Sequence, residues 1–316
     1  MNSFWEGLSK PFFIQAPMED VTDVAFRTLI SRFGKPDVTY TEFTSADGLV
    51  LAPDAGKKVL LKKLEYSEGE RPIVAQLFTS KPAHMEAAAK LCAELGFDGI
   101  DINMGCPDKA VEKSGCGAAL IKNPENARAL IRAARKSGLP VSVKTRLGYN
   151  TDELETWLPE LLAENPVAVT IHARTRKEMS LVPARWERVQ RAVEIRNELN
   201  SKTLIIGNGD VRDLTDAREK AAATGADGVM LGRAIYGNPW LYADRAVPPT
   251  PVERIGALIE HIKLFDEKMA GVSNFATMKK HFKAYISGWD GAKDLRVKMM
   301  ESNTASEAVA ILDSER

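Results

Sequence analysis

A thiol at the end of an apolar run is the first feature of this chain that invites chemistry. In Gly99-Ile-Asp-Ile-Asn-Met-Gly-Cys-Pro107, Ile100 and Ile102 suit a buried parallel strand. Asn103, Gly105, Cys106 and Pro107 break it and must form the turn beyond its carboxyl end. Cys106 therefore sits at a strand mouth, ahead of a charged, glycine-dotted loop at 108–117 that is too polar to bury. The ordinary fate of an intracellular cysteine is to be a small buried hydrophobe, but the polar loop argues for a thiol that faces solvent or a ligand. With a pKa near ~8.5, a free thiol is mostly protonated at neutral pH and can donate that proton without special tuning.

Other chemistry-bearing residues end other apolar runs. Strands are expected at 12–16, 38–41, 73–77, 99–103, 141–145, 168–172, 203–207 and 228–231. Between them lie stretches with apolar residues at helical spacing, clearest at 81–95, 124–137, 152–164, 184–199 and 213–224. Another helix is expected to run to Phe33 from a cap at Thr22 or Asp23, and one is placed within 44–70. Eight alternating units predict a parallel (β/α)8 TIM barrel. A doubly wound open sheet would need a glycine-rich turn after its first strand, and Ala16-Pro-Met-Glu-Asp20 is not one.

Barrel enzymes carry their chemistry at strand carboxyl ends. Here those ends are Pro17-Met18, Glu42, Gln76, Asn103 with Cys106, Lys144 with Arg146, His172 with Arg174, Asn208 with Asp210, and Arg233. One such residue is ordinarily a structural polar group; the whole set points to a site. The last two ends, Gly207-Asn-Gly-Asp210 and Gly232-Arg233, combine glycines that admit close phosphate approach with a guanidinium. They predict a phosphate site, with Lys144, His172 and Gln76 around the rest of a phosphorylated cofactor.

Forty-three basic and forty-three acidic residues leave no global field to announce a nucleic-acid partner. Cys92, Cys106 and Cys116 lack paired C-x-x-C spacing and the four histidines are scattered, so no metal site is expected. The start has no signal-peptide pattern and no apolar run approaches the ~20 residues of a membrane span. A reducing cytoplasm and a monomer are the expectation.

After Tyr242 the rhythm stops, and Val247-Pro-Pro-Thr-Pro251 reads as a linker. The division expected is a barrel domain over 1–246 and a small C-terminal helical domain over 247–316, with helices at 253–270 and 275–287. Lys279, Lys280 and Lys283 share an arc of about 100° on the second of these. Because 251–316 holds ten basic and ten acidic residues, sequence alone reads that arc as a solvated face.

Together these residues resemble the tRNA-dihydrouridine synthase family over nearly the whole chain. The most specific part is Ile100-Asp-Ile-Asn-Met-Gly-Cys-Pro107 continued by Val111 and Gly117; Lys144-Thr-Arg-Leu-Gly148 and His172-Ala-Arg-Thr175 support it. The resemblance implies an FMN barrel followed by a helical domain that helps hold tRNA, with NADPH (or NADH) as reductant. It implies FMN contacts from Pro17, Met18, Glu19, Gln76, Lys144, His172, Asn208, Gly209, Asp210, Gly232 and Arg233. Asn103 and Arg146 fall on the substrate side, and Cys106 is the catalytic acid. Hydride delivered to C6 of uracil leaves an enolate that must be protonated at C5, which a thiol can do. The chain departs from the family pattern at Ser180 and Val182, where a tyrosine and a glycine often precede the tryptophan at Trp186. A dihydroorotate dehydrogenase-like barrel acting on a free pyrimidine is the alternative; the appended helical tail argues against it.

Overall fold

The computed structural model describes residues 3–315. Its strands are β1 (Phe12–Gln15), β2 (Thr39–Tyr40), β3 (Thr44–Ser45), β4 (Ile73–Phe78), β5 (Gly99–Met104), β6 (Val141–Arg146), β7 (Ala168–His172), β8 (Leu204–Asn208) and β9 (Gly228–Leu231). All pair in parallel, in the order β1-β9-β8-β7-β6-β5-β4-β2. A bridge from Ile14 to Val38 joins the two ends of that path, so the sheet closes on itself. This is the expected eight-unit barrel, and β3 is a ninth, two-residue strand laid beside β4.

Side chains alternate across each strand, so every second residue enters the barrel. Phe12, Ile14, Tyr40, Val74, Ala168, Ile206 and Met230 form an interior cluster that Trp5 joins from the amino-terminal end. The opposite parity, such as Ile100, Ile102, Val143, Val169 and Ile205, packs outward against the helices. Helix starts are fixed locally: the carboxylates of Asp23 and Asp213 accept from the N–H groups of Phe26 and Asp216, at 2.9 and 2.8 Å. Those helices span Val24–Phe33 and Leu214–Thr224.

The segment 44–70 holds two helices rather than one, Ala46–Leu51 and Asp54–Lys63, interrupted at Pro53. Proline removes a backbone donor and restricts the residue before it, which ends the first helix. The stretch expected to be helical over 275–287 begins as a 3-10 turn, Phe275–Met278, and continues as a helix only through Tyr285. Two further helices, Ala292–Glu301 and Ala305–Asp313, complete the tail.

The long tail helix Pro251–Met269 begins with a capping box between Thr250 and Glu253. Its apolar face shares one cluster with the first barrel helix: Ile255, Leu258, Ile262 and Phe265 pack with Phe26, Leu29 and Ile30. Within that contact His261 stacks on Phe26 at 4.8 Å and meets His281 edge-on at 4.7 Å. Among the described residues no helix is long and apolar enough to cross a membrane.

Burial, with Lys280 nearby, pushes the His281 imidazole down to about 3, and burial holds His261 well below its ordinary range. Both are neutral in the fold, while an unfolded chain protonates them near pH ~6.5. Stability from this pair is therefore complete above that value and is lost as pH falls below it. Buried Asp23, raised to about 6, acts with the opposite sign, so the readout must be a difference between proteins. We expect the thermal midpoint of His281→Phe to fall less than that of wild type between pH 7 and pH 5. The destabilisation by His281 that is removed is about 2 kcal/mol at pH 5; equal falls in both proteins would show that His281 is not buried neutral.

Candidate active site

The parity that fills the barrel also aims Gln76, Asn103, Lys144, His172 and Asn208 toward its carboxyl-terminal mouth. A cavity of about 790 Å³ opens there, within the usual range for small-molecule sites. Of the eleven residues expected around a cofactor, Pro17, Met18, Lys144, His172, Asn208, Gly209, Asp210, Gly232 and Arg233 line it. Glu19 and Gln76 do not. Glu19 points outward to pair with Lys63, beside Asp20 and Glu42. Gln76 is fully buried below the cavity.

Among the described residues Lys144, Arg174, Arg212 and Arg233 line the cavity with one carboxylate, Asp210, while Arg212 is paired with Asp216. Asp210 bridges Arg174 and Arg233, which hold it below the usual carboxylate range. The Arg233 side chain is 67% exposed despite that contact, so its guanidinium remains open to an anion. Burial and the Arg146 charge lower Lys144 to about 8, and its Nζ lies 3.3 Å from Asn208 Oδ1. His172 is held well below its ordinary value by burial and by the surrounding cations. Arginine can only donate, so the 3.0 Å contact from Arg174 Nη1 makes His172 Nε2 an acceptor and places the proton on Nδ1.

Gly209, with φ at 124°, could not carry a side chain: a Cβ there would lie 2.8 Å from Ala184 Cβ and 3.2 Å from His172. Trp186 packs across this loop and donates from Nε1 to Gly209 O at 2.9 Å. Sequence reasoning missed this role for Trp186; the signal available was Gly207, where a Cβ would fall 2.2 Å from the Trp186 ring.

Cys106 sits on a turn held from three sides. Asn103 Oδ1 accepts from the N–H groups of Gly105 and Cys106, at 3.1 and 2.9 Å. Arg146 Nε donates to Gly105 O at 2.8 Å, and its Nη1 reaches the carbonyls of Thr175 and Met179. Gly117, at φ 60°, lies so close beneath that a Cβ would fall 2.6 Å from Cys106 O. Arg146 and Asn103, expected beside a substrate, are thus both engaged in shaping the turn.

Burial is the first cause that raises the Cys106 thiol above its ordinary value, so it is protonated at neutral pH. Cys92 and Cys116 are buried, whereas Cys106 is only part-covered. Iodoacetamide applied to the native protein should therefore modify Cys106 before the other two, at a rate that climbs as pH rises toward and beyond 9. Peptide-resolved mass spectrometry checks the order; prior modification of Cys116 would contradict this environment.

Comparison with known proteins bears on the family and the fold. The family model described as Dihydrouridine synthase matches residues 14–316. A Staphylococcus aureus protein named "Probable tRNA-dihydrouridine synthase" is 40% identical over 313 residues, covering 98% of this chain and 95% of that protein. The Bacillus subtilis "Probable tRNA-dihydrouridine synthase 2" is 41% identical, covering 98% and 96%. Among solved structures, morphinone reductase in complex with tetrahydroNAD superposes with a TM-score of 0.54 at 15% identity, over 77% of this chain and 90% of that one. A 2-naphthoyl-CoA reductase gives 0.55 at 11%, over 73% and 49%. These last two likenesses speak for the barrel fold alone. The family match over residues 14–316 and the two bacterial relatives go further, and the chain belongs to the dihydrouridine synthase family.

Proposed function

We propose that the protein is a tRNA-dihydrouridine synthase that reduces the C5=C6 bond of uridines in tRNA, using FMN and, as reductant, NADPH. The observation that carries this reading is Cys106: a part-covered thiol, kept protonated by burial, on a rigid turn beside the charges of Lys144 and Arg146.

The cavity fits a phosphorylated flavin. Its wall has more cations than carboxylates, with Arg233 exposed next to the glycine loops after β8 and β9 and Lys144 without a direct carboxylate partner among the described residues. Bound reduced FMN supplies the hydride accepted at C6 of uracil. Cys106 holds the proton destined for C5, and Lys144 offers positive charge where negative charge develops. Neutral His172 offers its Nδ1–H as a donor.

The tail is the proposed tRNA-binding domain. The helix Lys279–Tyr285 and the helix Ala292–Glu301 enclose a cavity of about 630 Å³ in which Lys279, Lys280, Lys283, Lys293 and Arg296 surround the exposed Val297 and Met300. Lys279 donates to Met300 O and Lys280 lies 3.8 Å from Asp20, so Lys283 and Lys293 are the freer charges among the described residues.

Purified protein should be yellow, and with NADPH it should form dihydrouridine in unmodified tRNA but not reduce free uracil. Arg233→Ala should weaken flavin retention. A colourless protein that takes up no added FMN would end the flavin reading.

Cys106→Ala should retain flavin and its reduction by NADPH yet lose tRNA reduction by at least 100-fold, in the range of a missing general acid. Cys116→Ala should change little. Full activity of Cys106→Ala on tRNA would remove the thiol from the proton step.

Lys283→Ala with Lys293→Ala should weaken tRNA binding and flatten its salt dependence by roughly 0.7–0.9 of a log–log unit for every phosphate that is no longer neutralised. Binding measured across several salt concentrations decides it: curves that superimpose on wild type would place the RNA surface elsewhere.

A further inference from the structure

Asp101 is a carboxylate at the centre of the barrel, with no exposed surface and no role in the steps above. Burial raises it to about 6, so it is mainly ionised at neutral pH. No salt bridge reaches it among the described residues, though the Lys144 charge draws it down from further off; two neutral donors hold it. Ser142 Oγ donates to Oδ1 at 2.6 Å and Gln76 Nε2 donates to Oδ2 at 2.7 Å. A charge buried on these terms is costly, and apolar residues such as Val74 and Ile206 fill other positions inside the barrel.

Its partners show what the charge does. Gln76 stands opposite Asp101 in register, and Asn103 lies two residues on along the same face of β5. Gln76 Oε1 accepts from Asn103 Nδ2 at 3.1 Å, and Asn103 Oδ1 in turn accepts from the N–H groups of Gly105 and Cys106. An ionised carboxylate can only accept. It therefore forces the amide nitrogen of Gln76 toward itself and the oxygen toward Asn103. That oxygen forces the nitrogen of Asn103 inward and its oxygen onto the turn that carries the thiol. The backbone N–H groups at the far end can only donate, so both amides are satisfied in one orientation and in no other.

We infer that Asp101 is a positioning residue for Cys106: through Gln76 and Asn103 it sets the polarity of a buried amide relay that holds the thiol-bearing turn in place. The inference rests on the proposed proton-donating role of Cys106 for its consequence in catalysis, though not for its geometry. A buried electrostatic anchor of this kind fixes the thiol without touching substrate.

Asp101→Asn tests it, because an amide of the same shape can donate as well as accept, which leaves only the N–H groups at the far end to dictate how Gln76 points. Two quantities are read. One is the rate of Cys106 alkylation by iodoacetamide in the native protein, which needs no activity. The other is the single-turnover rate of tRNA reduction at saturating tRNA, alongside the tRNA dissociation constant. Asp101→Asn is expected to raise alkylation of Cys106 at least threefold and to slow tRNA reduction at least tenfold, with tRNA affinity within twofold of wild type.

The exchange variant, Asp101→Asn with Gln76→Glu, moves the carboxylate one link along and still presents an acceptor to Asn103 Nδ2. It is expected to return alkylation to within twofold of wild type, a recovery that general damage to the barrel would not allow. Should Asp101→Asn not fold, Asn103→Ala cuts the same relay next to the thiol and is expected to raise alkylation by at least as much. Wild-type alkylation in Asp101→Asn or in Asn103→Ala, or an exchange variant no closer to wild type than Asp101→Asn, overturns the relay. If wild type itself fails to reduce tRNA, the proposed function falls, while the alkylation rates still decide the relay.

Discussion

Alternation inside a closed parallel barrel is the constraint on which the rest of this molecule depends. Once the bridge between Ile14 and Val38 closes the path of strands, every second side chain has nowhere to go but inward, and every strand delivers its last inward residue to the same rim. Low in the barrel most of those residues are apolar and fill space, with Asp101 and Ser142 buried among them. Toward the carboxyl end they become Gln76, Asn103, Lys144, His172 and Asn208, and the interior changes from packing to polar contact. The site is the upper layer of the core, left partly open.

Electrostatics in that layer are arranged so that few charges are free. Asp210 is shared between Arg174 and Arg233, and Arg174 also donates to His172 and to Val182 O. One guanidinium thereby fixes the tautomer of a histidine, the position of a carboxylate and the path of the loop that includes Ser180 and Val182. The loop that departs from the family pattern is therefore tied to the cavity by its backbone, through a contact that does not depend on which side chains stand at those two positions.

How much of this was legible in the sequence follows from the range of the forces involved. The barrel strands were legible because apolar runs ended by Gly, Asn or Pro are local signals, and the helix starts at Asp23 and Asp213 because caps act within one turn. Glu19 could not be read: its neighbour in sequence, Met18, lines the cavity, but a lysine 44 residues away draws its carboxylate outward. The resemblance put Arg146 on the substrate side, and its contacts could not be foreseen: its carbonyl partners on Gly105, Thr175 and Met179 belong to two loops that meet only in the fold. The strand Thr44–Ser45 is likewise set by its pairing with β4 and not by propensity. Asp101 was visible as an acid two residues before Asn103, yet its burial depended on a register with β4 and β6 that one strand cannot announce.

The shared cluster between the long tail helix and the first barrel helix has a consequence for measurement. Phe26, Leu29 and Ile30 lie in one apolar mass with Ile255, Leu258 and Phe265, closed by His261 stacked on Phe26 and by His281 edge-on to His261. A tail joined in this way is not a tethered arm that can hunt for its partner; it is a fixed jaw. On the function proposed, the span from the lysine-rimmed groove to the thiol is then a constant of the fold, and the molecule works as a caliper. The nucleotide that reaches Cys106 would be chosen by its distance from where the RNA is gripped, and altering the packing under Phe26 would reset the gauge without touching a single catalytic group.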